Sequence, residues 1–142
     1  MSESVLLADA VVTELNEQTF SMPFTAERRL LPSFELKELT NLQVTVVPKA
    51  IESTNASRVA RQSDYQVDVG VQKKLSGDID VQLPPLMALV EEIADLLAKR
   101  KLTDKPEAVW VGCQNDPIYS PQHLAETRTF LSLLTITYRL MK

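Results

Sequence analysis

Hydrophobic and polar positions recur with two different periods along the chain, and these periods divide it into predicted helices and strands. Apolar residues spaced three and four apart predict amphipathic helices over residues 5–15 and 84–100. Strict alternation over residues 65–75 predicts a strand with one buried face and one wet face. Runs rich in β-branched and aromatic residues predict three further strands, over residues 42–47, 108–113 and 129–140.

Shorter segments connect these elements. Pro23 and Pro32 bracket a short extended piece, which is predicted at a sheet edge because proline cannot donate to a central ladder. Residues 34–39 are predicted as one helical turn or a connection, and residues 76–83 as a polar turn. The order of elements predicts one α+β domain over residues 1–142, with a mostly antiparallel sheet and two helices packed on one face.

The stretch over residues 49–64 does not fit the pattern of its neighbours. It is polar, lacks glycine and proline, and is too long for an ordinary hairpin loop. One interpretation is a surface loop, and the other is a protruding arm at about residues 48–64 that orders only against another subunit. The arm interpretation assigns the inter-subunit contacts to these cations and hydrophobic residues: Lys49, Ile51, Arg58, Val59 and Arg61.

Composition excludes several classes of protein. The chain is 44% hydrophobic and 24% charged, which is typical of a soluble globular protein. Its net charge of −4 and pI of about 5.0 argue against a surface that binds DNA by neutralising phosphates. The N-terminal sequence lacks a basic start and no apolar run approaches the length of a membrane span, so neither a signal peptide nor a membrane partner is expected.

The residue types needed for catalysis or metal binding are scarce. Cys113 and His123 are the only cysteine and histidine, so a disulfide framework and a zinc site are not expected. The three glycines are too scattered for a phosphate-binding loop. We therefore expect no enzyme activity, no metal and no cofactor. Neighbouring carboxylates are interpreted as solvated surface charges: Asp64 and Asp68, Asp78 and Asp80, and Glu91 and Glu92.

Five stretches, taken in order, resemble tail-completion proteins of the tail terminator type from long-tailed phages: FTAERRLLPSFELKEL, LQVTVVPKAIE, DYQVDVGVQKKL, LVEEIADLLAKRKL and DPIYSPQHLAETRTFLSLLTITYRL. The resemblance covers roughly residues 20–140. It implies an α+β subunit that forms a homohexameric ring on the last ring of tail tube protein. Such a ring ends tube polymerisation and presents a surface to the head-completion, or neck, proteins.

The same resemblance implies a location in the virion, at the interface between head and tail, after assembly in the host cytoplasm. DNA passes through the ring without specific binding, and an acidic wall prevents it from sticking. Two alternatives remain: a stopper or adaptor on the head side of the joint, and a small-ligand-binding α+β domain. The lumen candidates, for which an ordinary solvated face is the competing interpretation, are Asp78, Asp80, Glu91, Glu92 and Asp95.

Overall fold

A five-stranded sheet is the framework of the fold, in a computed structural model that describes residues 2–30 and 40–141. The strand order is β1-β2-β3-β5-β4, in which β1 and β2 are parallel and the other neighbours are antiparallel. The elements in chain order are α1 (Glu3–Asn16), β1 (Ala26–Arg28), β2 (Gln43–Asn55), β3 (Arg61–Lys74), α2 (Ile79–Leu97), β4 (Val109–Asn115), α3 (Pro121–Thr127) and β5 (Thr129–Met141).

The hydrophobic core lies between one face of this sheet and the helices α1 and α2. Alternate residues of β3 and β5 point into it, which confirms the predicted period of two. The mostly antiparallel α+β architecture is confirmed as well. Core residues come from α1 (Leu7, Val11, Leu15), α2 (Leu86, Leu89, Ile93), β3 (Val67, Val69, Val71) and β5 (Leu134, Ile136, Tyr138).

The predicted short edge strand and the predicted alternation on β4 are both found. β1 forms a short outer strand within the segment that the two prolines bracket. On β4, Trp110 packs against the core, whereas Val109 and Val111 are exposed on the other side, as the alternation predicts. Residues 34–39, predicted as a turn or connection, lie outside the described residues.

Helix α2 corrects two predicted boundaries. It begins at Ile79, so residues 79–83 are helical rather than a polar turn, and Pro84 lies inside the helix rather than at its start. The Asp78 side chain caps the helix by accepting from the Asp80 amide at 3.0 Å. Pro84 and Pro85 remove the amides that would bond the carbonyls of residues 80 and 81. Those two residues are exposed, so water can hydrogen-bond the two carbonyls.

The C-terminal end of α2 and the region after β4 differ in smaller ways. α2 ends at Leu97 rather than at residue 100, and Lys99 takes a left-handed φ of 58°. A third, seven-residue helix, α3, contains His123 and has no buried residue. Within residues 2–30 and 40–141, no helix is both long enough and apolar enough to cross a bilayer.

The prediction for residues 49–64 is wrong in its local structure. These residues continue β2 and β3 as a hydrogen-bonded ladder that runs to the Asn55–Arg61 pair, so they are ordered within one chain. β3 is paired on its other side with β5 as far as Gln62 and Met141, which gives β2 a fixed template that needs no apolar side chains. The turn needs no glycine or proline because the Ser57 hydroxyl accepts from two amides, those of Val59 and Ala60.

Candidate assembly surfaces

The arm hairpin, residues 49–64, is the most exposed part of the sheet. All seven residues of β2 from 49 to 55 are exposed, and Ile51 and Val59 keep 54% and 93% of their surface accessible. Val59 lies in the turn of the hairpin, whereas Ile51 is paired with Tyr65 nearer its base. The turn itself is closed by bonds from the amides of Ala56 and Ser57 to the Ala60 carbonyl, both at 3.1 Å.

The structure divides the five predicted arm contacts between the tip and the base of the hairpin. Arg58, Val59 and Arg61 lie together at the tip, and neither arginine forms an ion pair within the described residues. Lys49 lies at the base, where its ammonium is 3.8 Å from Asp68 and 3.4 Å from the Thr135 hydroxyl. Lys49 is therefore tied to the sheet of its own chain, and the free positive charge lies at the tip.

The sheet face opposite the helices is polar, and its side chains bond to one another. Arg139 donates two hydrogen bonds to Asp64, at 2.8 and 3.2 Å, in the bidentate geometry that orients both groups. Thr135 donates to Asp68 at 2.7 Å. These residues are only partly exposed, so the face is an ordered polar surface rather than a set of mobile charges.

The five acidic lumen candidates all lie on α2 or on its N-terminal cap. Asp78 caps the helix, and Asp80 is in the first turn. Glu92 accepts hydrogen bonds from the Ser21 amide, at 3.0 Å, and from the Ser21 hydroxyl. Glu91 and Asp95 are exposed and form no ion pair with the described part of the chain. Asp80, Glu91 and Asp95 are therefore exposed on the side of α2 away from the sheet, whereas Asp78 lies at the helix start and Glu92 is bonded to Ser21.

A buried ionic cluster, which was not among the predictions from the sequence, joins α1 to the connection between α2 and β4. Glu14 is fully buried and accepts from Arg100 Nε at 2.7 Å and from the Thr103 amide at 2.6 Å. Burial raises the pKa of Glu14, but the bonds from Thr103 and Arg100 outweigh it and hold the pKa below its ordinary value. The sequence does contain an indication that Glu14 is buried, because its helical spacing from Leu7 and Val11 places it on the same side of α1.

A second ion pair fixes the other end of the same connection. The Lys105 ammonium, 7% exposed, lies 2.6 Å from Glu3 and 3.1 Å from Glu107. The start and the end of α1 are thus both tied to residues 100–105. We infer a structural role, since these charges are paired with one another and hold the connection in place.

The groups with catalytic potential that the structure describes are His123 with Ser120, on and beside α3, and Cys113 on β4. His123 Nδ1 lies 2.7 Å from the Ser120 hydroxyl, which also caps α3 by accepting from the His123 amide at 3.3 Å. Burial raises the pKa of the Cys113 thiol, which disfavours the thiolate that a nucleophile requires. Among the described residues, no three His, Cys, Asp or Glu side chains are grouped so as to hold a metal.

Comparison with known proteins gives a match in fold. No family model and no curated protein matches this sequence. Among solved structures, a chain from the virion of a native gene transfer agent particle has a similar fold, with a TM-score of 0.56. The similarity covers 96% of this chain and 95% of that chain, at 12% sequence identity. The two chains therefore share an architecture over their whole lengths.

Proposed function

We propose that this protein is a structural component of a phage-like virion, in which it forms a ring that caps the tail tube. The observation that carries the proposal is the shared fold, over 96% of the chain, with a chain from a gene transfer agent virion. The sequence resemblance to tail terminator proteins supports the same class independently. We propose no catalytic role: the Ser120 hydroxyl that contacts His123 also caps α3, and burial disfavours the thiolate of Cys113, which lies on another element.

Ring assembly requires two different surfaces on each subunit, since a head-to-tail contact closes only when one patch meets another. The arm hairpin supplies one such surface, because its tip carries Val59 and two unpaired arginines. Its ladder is already formed within the chain, so contact with a neighbour requires little further ordering of the backbone. We propose that the tip contacts the adjacent subunit, which is the partner that the arm interpretation names.

Termination of a polymer follows from a difference between the two ends of such a ring. One end must resemble the tube protein closely enough to bind the last tube ring. The other must lack the surface to which a further tube subunit adds. The proposed partners are therefore other copies of this chain in a six-membered ring, the tail tube protein, and a neck protein on the head side. The weak contacts of single subunits gain effective concentration on a preformed tube end.

The proposed ring also needs a wall that DNA can pass. The outer side of α2 and the polar sheet face lie on opposite sides of the domain, so only one of them can line a central channel. α2 carries the predicted acidic residues, with Glu91 and Asp95 unpaired in the described structure. The polar sheet face instead pairs most of its charges internally. An acidic wall repels DNA, which supports the start of α2, with Asp78 and Asp80, as the part that faces the lumen.

Electron microscopy of particles made without this protein tests the role. A terminator that is missing gives tails of uncontrolled length that are not joined to heads. Tails of normal length beside DNA-filled heads that leak would assign the protein to the head-side stopper instead. Particles of normal structure, from which the protein is absent, would refute a virion role. Restoring the protein in trans is the control for polar effects on neighbouring genes.

A further inference from the structure

Two surfaces of this chain carry unpaired charges of opposite sign, and we propose that they bind each other between neighbouring copies. The first is a groove of about 420 Å³ between the end of α2 and the start of β4, called here the basic groove. The second is the exposed stripe of α2, called the α2 ridge. The proposal rests on the ring assembly proposed above and names one contact that would close the ring. The α2 ridge comprises Val81, Pro84, Ala88, Glu91 and Asp95.

The basic groove combines positive charge with an apolar floor. Lys99, Arg100 and Lys101 line one side, and Val109 and Trp110 belong to the start of β4. The Arg100 guanidinium is already paired with the buried Glu14, so Arg100 shapes the wall of the groove and its charge is not free for a partner. Lys99 and Lys101 are exposed and form no ion pair with residues 2–30 or 40–141. The two lysines favour an acidic partner. Because 61% of the Val109 surface is accessible, the groove also favours a partner that carries apolar side chains.

The α2 ridge has the complementary composition. Its residues recur at intervals of three and four, so they lie on one side of the helix, and all of them are exposed. Glu91 and Asp95 supply two carboxylates without a partner in the described structure. Val81, of which 68% is accessible, supplies an apolar contact towards the start of the helix. The two unpaired carboxylates of the ridge thus match the two unpaired ammonium groups of the groove.

The charges of the groove and the ridge do not pair within one chain at the closest point between them in the sequence. Asp95 and Lys99 are four positions apart, which is the spacing that pairs side chains in a continuous helix. α2 ends at Leu97, however, and the left-handed φ of Lys99 breaks this register, so no ion pair forms between them. In the proposed ring, the groove of one copy meets the ridge of the next, which is a heterologous contact, the type that generates rings.

Charge reversal with exchange tests this contact. The groove-reversed variant carries Lys99→Glu and Lys101→Glu, and the ridge-reversed variant carries Glu91→Lys and Asp95→Lys. Each variant alone places like charges together, and we expect about tenfold weaker self-association by sedimentation velocity and native mass spectrometry. An equimolar mixture of the two restores opposite charges at every contact, so we expect it to assemble. The fourfold variant, which exchanges the two charges, is expected to assemble by itself.

The matched control keeps the charge change and moves it elsewhere. Glu17→Lys with Glu126→Lys alters exposed residues at the end of α1 and on α3, and it is expected to assemble like the wild type. Circular dichroism of every variant separates loss of fold from loss of assembly. Raising the salt concentration should weaken wild-type assembly, because exposed ion pairs are screened.

Several outcomes would overturn the contact. They are reversed variants that assemble like the wild type, a mixture that fails to assemble although both variants are folded, and a wild-type chain that stays monomeric at about 1 mM. Loss of binding to a DNA oligonucleotide in the groove-reversed variant, with assembly unchanged, would assign the groove to nucleic acid. None of these results bears on whether the protein is present in mature particles, which is the claim of the proposed function. The proposed function fails separately, when the wild-type chain is absent from mature virions.

Discussion

Replacing the buried Glu14 with glutamine tests whether the cluster between α1 and residues 100–103 stabilises the fold. The substitution keeps the size of the side chain and removes its charge. The carboxylate accepts from Arg100 Nε at 2.7 Å and from the Thr103 amide at 2.6 Å. Glutamine can still accept from Thr103, but its amide group cannot satisfy both donors in the same geometry.

The magnitude follows from the exposure of the two partners. A hydrogen bond to a charged group contributes about 1.5–3 kcal/mol, and removing one partner of a fully buried ion pair costs about 3–5 kcal/mol. Glu14 is fully buried, but the Arg100 side chain is 38% exposed and regains water when its partner is lost. We therefore expect Glu14→Gln to lower the free energy of unfolding by about 2–3 kcal/mol. For 142 residues this corresponds to a fall in Tm of about 7–10 °C.

The pH dependence has a definite sign. The pKa of Glu14 is lower in the folded chain than its ordinary value, so the folded state favours the carboxylate. Its stabilisation is complete above the unfolded pKa of about 4.3 and is lost as the pH falls through the folded pKa. The difference in stability between wild type and Glu14→Gln should therefore be constant near neutral pH and shrink in acid.

Urea denaturation from pH 7 to pH 3 measures both effects, with Glu17→Gln as the control. Glu17 lies at the C-terminal cap of the same helix and is exposed, so its substitution should change the stability by less than about 0.5 kcal/mol. A Glu14→Gln protein as stable as the wild type at pH 7 would refute the argument. So would a difference that grows on acidification.

The remaining predictions concern the core, the arm and the histidine. Leu89→Ala should lower the free energy of unfolding by about 2–5 kcal/mol, because Leu89 is fully buried under the sheet; a negligible change in denaturation midpoint would place α2 elsewhere. Arg58→Ser with Val59→Ser should leave the stability within about 0.5 kcal/mol and abolish ring formation, and unchanged rings by native mass spectrometry would contradict the arm's role. His123→Ala should retain particle assembly in a complementation assay; loss of infectivity with normal folding would reopen the enzyme hypothesis.

The parts of the fold that the sequence predicts well are those in which burial has a period. β3 alternates between buried and partly exposed residues from Ser63 to Val69, and the same alternation in β5 identified an interior strand. Trp110 and its two valine neighbours were placed on opposite sides of β4 for the same reason. In each case one face of the strand is buried, and the sequence shows this as an alternation of apolar and polar residues.

The predictions failed where order comes from partners remote in sequence. The arm hairpin lacks apolar side chains, and its ladder depends on β3, which is held in turn by β5. The predicted start of α2 is wrong because Pro84 is typical of a first helical turn, whereas the helix begins five residues earlier, after the capping carboxylate of Asp78. The partners of Glu14 lie 86 and 89 positions further along the sequence, and no local pattern of residues indicates contacts over that separation.

The position of β5 also has a consequence for biosynthesis. β5 lies between β3 and β4, and it is the only strand to which β4 is bonded within the described residues. During translation, β3 and β4 therefore leave the ribosome with a vacant slot between them, which is filled only after β5 has emerged. Until then the nascent chain exposes the apolar residues of both strands. We expect ribosome-bound chains that stop before residue 129 to be sensitive to protease, and chains extended past β5 to become resistant.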